Sequence, residues 1–275
     1  TVLRSSLLIE KDDHFVLSAN MEQLGIPATL KDSLMSRLDD LGEDKELAQL
    51  SATLGREFNH ELLSAAAMQD ERSLQASVNR LINAELFSQQ GQAPQAHYRF
   101  QHALLREAAY HSLLNRTRQK YHQRISVLIK EQFPNIVTDN PEILAHHCTK
   151  AENYGDALQY WLAAGRYAIQ RSANIEAAAH LKNGLDILKN IPGTAQTNLR
   201  ELALQTSLGL AVMMSKGYAA PEVEKAYARA HDLCKEIADK NTVFPILSGL
   251  WEFYIVRGDL NKASKLANEL QKMAE

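Results

Sequence analysis

The residues best suited to chemistry in this sequence are its histidines and cysteines, and their spacing stops short of a catalytic or metal-binding pattern. His60-Glu61 begins the H-E-x-x-H motif, in which two imidazoles on one helix face hold zinc and the glutamate activates water. Ser64 stands at the place of the second imidazole, so the zinc-peptidase reading fails. His146, His147 and Cys148 are consecutive, and adjacent residues on a helix point in different directions, which argues against a shared metal. The two cysteines, Cys148 and Cys234, are far apart with no C-x-x-C, so neither a disulfide framework nor a zinc knuckle is indicated. No G-x-S-x-G occurs. G-x-x-x-x-G-K-[ST] is also missing, and no glycine precedes a lysine anywhere, so the loop that would cradle phosphates through backbone N–H groups is not encoded. The chain reads as a non-catalytic piece, with no cofactor or metal of its own.

The elements that carry these residues are mostly helical. Residues 1–20 hold two short apolar runs split by KDD, which suits a hairpin or a helix end plus a strand. From Pro27, placed where a first helical turn tolerates it, Leu30, Leu34, Leu38 and Leu41 share one face, and Gly42 ends the segment. A second helix runs from about Glu43 to Leu54 with Leu47, Leu50 and Leu54 inward, and Gly55 closes it. Asn59 is placed to cap HELLSAAAM and Asp70 to cap ERSLQASVNRLINAE, whose stripe is Leu74, Val78, Leu81 and Ile82. LFSQQ and AHYRFQ around GQAPQ read as one short β-hairpin. Three helices followed by a hairpin is the winged-helix order.

A winged helix invites a DNA-binding reading, which needs basic residues on the third helix. That helix sets Arg72 and Arg80 against Asp70, Glu71 and Glu85, and the hairpin offers Arg99 and His97. Phosphate neutralisation supplies most non-specific affinity, so this balance argues against nucleic acid. The following segment, one or two helices, carries Arg116, Arg118, Lys120 and Arg124, a cluster that reads as a solvated face with phosphate or acidic-partner binding as its alternative.

Composition supports this reading. At 275 residues with 45% hydrophobic content, two folded units are expected. A formal charge of -3 gives no global field toward nucleic acid or an anionic membrane. No apolar run approaches the roughly 20 residues that span a bilayer, and no signal-peptide pattern opens the chain. A reducing, cytoplasmic setting is expected. The start at Thr1 and the stop at Glu275 within a helical run suggest a fragment of a larger protein.

From Pro141 onward the sequence repeats itself. Trp161, Gly165, Ala168 and Ala177 stand where a tetratricopeptide repeat places its Trp, first Gly, Tyr and first second-helix Ala. Leu247, Trp251, Tyr254, Gly258 and Ala263 take the same frame again. Gly209, Val212 and Ala226 fit between them if the turn KGYAAPE is lengthened. The intervals, 44 residues from Gly165 to Gly209 and 42 from Gly209 to Trp251, exceed the consensus of about 34, so the repeats are degenerate. Small residues at Gly165, Ala177, Gly209, Ala226 and Ala263 predict close approach of paired helices, with Trp161 and Trp251 in the core. Stacked pairs generate a solenoid whose inner face binds other proteins.

Several long segments in order, among them IPATLKDSLMSRLDDL, LQASVNRLINAELF, YRFQHALLREAAYHSLL, YWLAAGRYAIQRSANIEAAAHLKNGLDIL and SKGYAAPEVEKAYARAHDLC, resemble the carboxy-terminal part of bacterial ATPases of the STAND class. In many of these the ATPase follows a class III adenylate or guanylate cyclase domain. The resemblance implies an upstream nucleotide-binding domain that uses ATP and ADP, then a winged helix, then superhelical repeats acting as sensor or scaffold. It divides the chain into the end of the upstream ATPase region (1–26), a winged-helix-like domain (27–115) and tetratricopeptide-like repeats (116–275). In such proteins a winged-helix histidine touches the diphosphate of bound ADP, and His102 in FQHALL resembles it, a buried histidine capping local backbone being the alternative. The implied function is regulatory: partner binding on the repeats is passed to the ATPase domain in cis. The alternatives are a DNA-binding transcriptional regulator and the regulatory arm of a cyclase.

Overall fold

The chain is mainly helical, and its carboxy-terminal part is a tetratricopeptide-like solenoid. The computed structural model describes residues 8–11, 14–17, 28–234 and 240–274. Pro27, and most of the 1–26 stretch assigned to an upstream region, lie outside the described residues. Two compact units form, Thr1–Arg118 and Gln119–Glu275.

In the first unit β1 (Leu8–Lys11) and β2 (His14–Leu17) form an antiparallel hairpin with Leu8 opposite Leu17. Helix α1 (Ala28–Asp39) buries Leu34 and Leu38, and a single 3-10 turn at Gly42–Asp44 leads into α2 (Lys45–Leu54). The short strand β3 (Glu57–Asn59) runs straight into α3 (His60–Ala67). The Asn59 side chain accepts from the Leu62 N–H at 2.9 Å, and Asp70 accepts from the Ser73 N–H at 3.0 Å to start α4 (Glu71–Asn83). Both caps satisfy backbone donors that have no partner inside the helix. Leu74, Val78 and Leu81 are buried on α4, while Ile82 is only half-buried.

Strands β4 (Phe87–Gln90) and β5 (His97–Phe100) form the expected hairpin, but β3 also joins β5, giving a three-stranded antiparallel sheet in the order β3-β5-β4. Three residues are too few to show an alternating pattern, so only pairing with Tyr98 and its neighbours makes Glu57–Asn59 a strand. Phe58, Phe87, Tyr98 and Phe100, one or more from each strand, pack as a buried aromatic cluster, with Phe87 and Phe100 edge-on at 4.8 Å. Helix α5 (Ala103–Ser112) follows and packs on α1 and α2.

Helix α6 (Asn115–Gln132) leads into the second unit, which continues through α7 (Pro134–Asp139), α8 (Pro141–Lys150), α9 (Tyr154–Gln170), α10 (Asn174–Leu188), α11 (Ala195–Lys216), α12 (Pro221–Cys234), α13 (Lys240–Arg257) and α14 (Leu260–Ala274). From α8 to α14 each helix packs on the next, as short connections require. The expected pairs are α9 with α10, α11 with α12, and α13 with α14. The glycines act by letting side chains in: a Cβ on Gly165 of α9 would lie 2.5 Å from Leu181 of α10, and one on Gly209 of α11 would lie 2.7 Å from the Tyr227 ring of α12. Two glycines outside the repeat frame do the same between pairs. Gly184 of α10 faces Leu204 of α11, and Gly249 of α13 closes on the other side of Tyr227 at 2.5 Å. Tyr227 is thus held between two glycines, and burial pushes its hydroxyl up to about 12.

Candidate partner-binding face

Trp161 is in the core as expected: its ring stacks on His180 at 5.6 Å and its Nε1–H donates to Thr149 Oγ1 at 2.9 Å. Trp251 is not, being half-buried, and the fully buried aromatic of α13 is Phe253. The reason is frame. Trp251 takes the position that Gly165 and Gly209 hold in the earlier pairs, and an indole does not fit the gap a glycine leaves, so it is not fully covered.

Exposed apolar residues line one side of α13 and one side of α11. In α13, Phe244 and Ile255 are exposed and Ser248 and Trp251 half-buried, a spacing of four, three and four residues that marks one side of a helix. Helix α11 repeats the arrangement with Leu199, Leu210 and Met214 exposed and Ala203 and Thr206 half-buried between them. Met214, 60% exposed, and Phe244, 46% exposed, are large apolar groups left in water. The first helices of the pairs also touch one another, α9 with α11 and α11 with α13. Sequence periodicity does not mark these residues, because an apolar side chain at helical spacing reads the same whether it is covered or exposed.

Beside this face, a cleft between α12, α13 and α14 is lined by Leu250, Tyr254, Lys262, Lys265 and Leu266. The Tyr254 hydroxyl donates to Glu224 at 2.6 Å, and burial with that carboxylate pushes it up to about 12. Lys262 lies over the Tyr254 ring at 4.6 Å.

The histidines occupy three different settings. His102 is exposed at the start of α5, and its side chain makes no cap hydrogen bond, so the alternative of a buried capping residue does not hold. His60 is buried as a strut, with Nδ1 3.0 Å from the Tyr98 hydroxyl and Nε2 2.7 Å from Glu71 Oε1. The Ser64 hydroxyl donates to the other Glu71 oxygen at 3.3 Å, so the residue that spoils the zinc motif belongs to this network. His122 of α6 and His147 of α8 meet in the interior, Nδ1 to Nδ1 at 2.9 Å, with His146 exposed beside them. No group of three or more ligating side chains is arranged to hold a metal ion among the described residues.

The basic residues weighed for DNA are largely committed. Arg80 makes a bidentate pair with buried Asp44 at 2.6 and 2.8 Å, and that hydrogen bonding holds the Asp44 carboxyl below the usual value. Arg99 pairs with Glu57 at 2.8 Å. Of the later cluster, Arg116 and Lys120 are exposed, but Arg118 lies over the Tyr110 ring and donates to the Leu113 carbonyl, and Arg124 lies over Tyr121. The cluster is therefore only partly a solvated face. No helix among the described residues is long and apolar enough to cross a membrane.

No family model matches the chain. An uncharacterized protein of Rhizobium meliloti (strain 1021) is 26% identical over 252 residues, covering 86% of this chain and 24% of that protein. The chain thus spans about a quarter of the length of the curated relative it matches. Among solved structures, a signal transduction ATPase with numerous domains (STAND) protein with a tetratricopeptide repeat sensor, from Pyrococcus horikoshii, aligns with TM-score 0.38 and 12% identity over 84% of this chain and 44% of that one. BtubC (BKLC) from P. vanneervenii aligns with TM-score 0.30 and 12% identity over 88% and 91%.

Proposed function

We propose that this chain is the regulatory, protein-binding region of a STAND-type signal-transduction ATPase, and that the apolar stripe on α11 and α13 is where its partner docks. The observation that carries this reading is the set of exposed apolar side chains on two first helices of the array, Leu210 and Met214 on α11 and Phe244 and Ile255 on α13. Large apolar side chains gathered on one face of a folded unit are costly in water and mark an interaction surface. A solenoid's inner face receives an extended or helical segment, and these residues supply its apolar anchors.

In this proposal the amino-terminal unit is a winged helix, with α2, α3 and α4 as its helices and β4-β5 as its wing, and it passes the binding event to an upstream nucleotide-binding domain in cis. His102 supplies a phosphate contact for bound ADP in the parent protein. Its support is position: an outward-facing imidazole at the start of α5, where the positive end of a helix favours an anion. The commitment of Arg80 and Arg99 to acidic neighbours supports a protein-packing role for the module over DNA readout.

Two variants of the full-length parent test the scheme. Met214→Glu combined with Ile255→Glu should abolish the response to the partner while leaving ADP retention intact; an unchanged response removes the stripe from the reading. His102→Ala should raise basal ATP turnover and speed ADP release, and unaltered nucleotide retention would dispose of the phosphate contact.

A further inference from the structure

We propose that the His122–His147 contact is an acid-sensitive latch between α6 and α8, closed while both rings are neutral and opened by proton uptake. Both imidazoles are buried, and their Nδ1 atoms lie 2.9 Å apart. Across that distance one Nδ1 donates and the other accepts, so the neutral pair is a complete hydrogen bond. A first extra proton places a charge in a site closed to water, and a second turns both Nδ1 atoms into donors facing each other.

No acid is among the groups that shift His147. The ionisable groups acting on His147 are His122 of α6 and His146 of its own helix, with the His146 ring centred 5.6 Å from that of His122 and 5.7 Å from that of His147. One residue on, Cys148 faces Lys130 of α6 and Asp156 and Tyr160 of α9, but Lys130 and Asp156 are paired to each other. Helix α7, which also packs on α8, carries one ionisable residue, Asp139, and it is exposed. Burial, with the two neighbouring imidazoles, holds His147 well below the ordinary imidazole value.

The sign follows from linkage. The opened helices bind protons at the ordinary imidazole value, whereas the closed latch refuses them, so the latch is fully stable above about pH 6.5 and weakens as pH falls below it. One extra proton taken up on opening weakens it by about tenfold for each pH unit below that value.

Amide hydrogen exchange on the whole 275-residue chain between pH 7.5 and 5.5, corrected for intrinsic exchange rates, tests the idea. Protection of α8 and of residues 122–132 should fall by about tenfold relative to α11 and α12 at the lower pH. The double variant His122→Phe, His147→Leu, which fills the site with apolar groups, should remove that dependence. If it does not fold, His147→Gln keeps a polar, non-titrating group and should flatten the pH response. Equal protection of α8 at both pH values in the wild type, or a drop that persists in either variant, would overturn the proposal. Histidine ring NMR gives a second reading: His147 neutral down to pH 6 supports the latch, and ordinary titration of that ring at about pH 6.5 refutes it.

Discussion

The two units are held together by different means. In the first, short helices and a small sheet are fixed by directional contacts: the Asn59 and Asp70 caps, the Arg80–Asp44 fork, the His60–Tyr98–Glu71 strut, and an aromatic cluster from three strands. In the second, long helices are fixed by shape, with Leu181 seated on Gly165, Leu204 on Gly184, and Tyr227 between Gly209 and Gly249. The contrast shows what each architecture needs. A compact mixed unit must set the angle of every short element, and polar groups do that because hydrogen bonds have direction. A stack needs only the correct depth between neighbours, which a missing side chain provides. Every partner of a glycine here is a large residue from a neighbouring helix, so the array builds its register one contact at a time.

Variants can break either half of this comparison. The largest effect is expected from Phe87→Ala, which empties the centre of the aromatic cluster and should cost about 3–5 kcal/mol, read as a lowered denaturation midpoint of the first unit. The second unit's transition should stay in place, and a matching fall in both would deny their separate means of support. Gly165→Ala comes next. Helix propensity alone favours alanine by roughly 1 kcal/mol, but the new methyl meets the buried Leu181 at 2.5 Å, and overpacking should leave the second unit weaker by about 1–3 kcal/mol. A gain in stability would mean that the close approach is slack.

Asn59→Ala removes one cap and should lower the first unit's stability by about 1 kcal/mol in chemical denaturation. The subtlest change is expected at Asp44. Arg80 depresses its carboxyl, so that pair adds stability above the ordinary carboxylate range and loses it as pH falls through the depressed value. In Arg80→Gln the Asp44 titration observed by NMR should move up, and an unmoved midpoint would show that the fork contributes nothing.

Much of this was legible in the residues. The leucine stripe of α4, the caps at Asn59 and Asp70, and the paired small residues of the repeats are local or periodic features, and short-range physics makes them visible. The strand β3 was not, because three residues show no period. Neither was Trp251: its frame position gave it a core role, and the structure leaves it half-buried. The candidate stripe was equally hidden, since an apolar residue reads the same way whether it faces a core or a partner.

The sequence by itself determined the helical class, the position of most elements, and the lack of a phosphate-binding loop, because these depend on neighbours within a turn or two of chain. The tertiary structure alone decided which glycine receives which side chain, which arginines are spent on internal acids, and that His122 and His147 share a hydrogen bond across 25 residues. Such partnerships join groups distant in sequence, and distance in space is set by the whole fold.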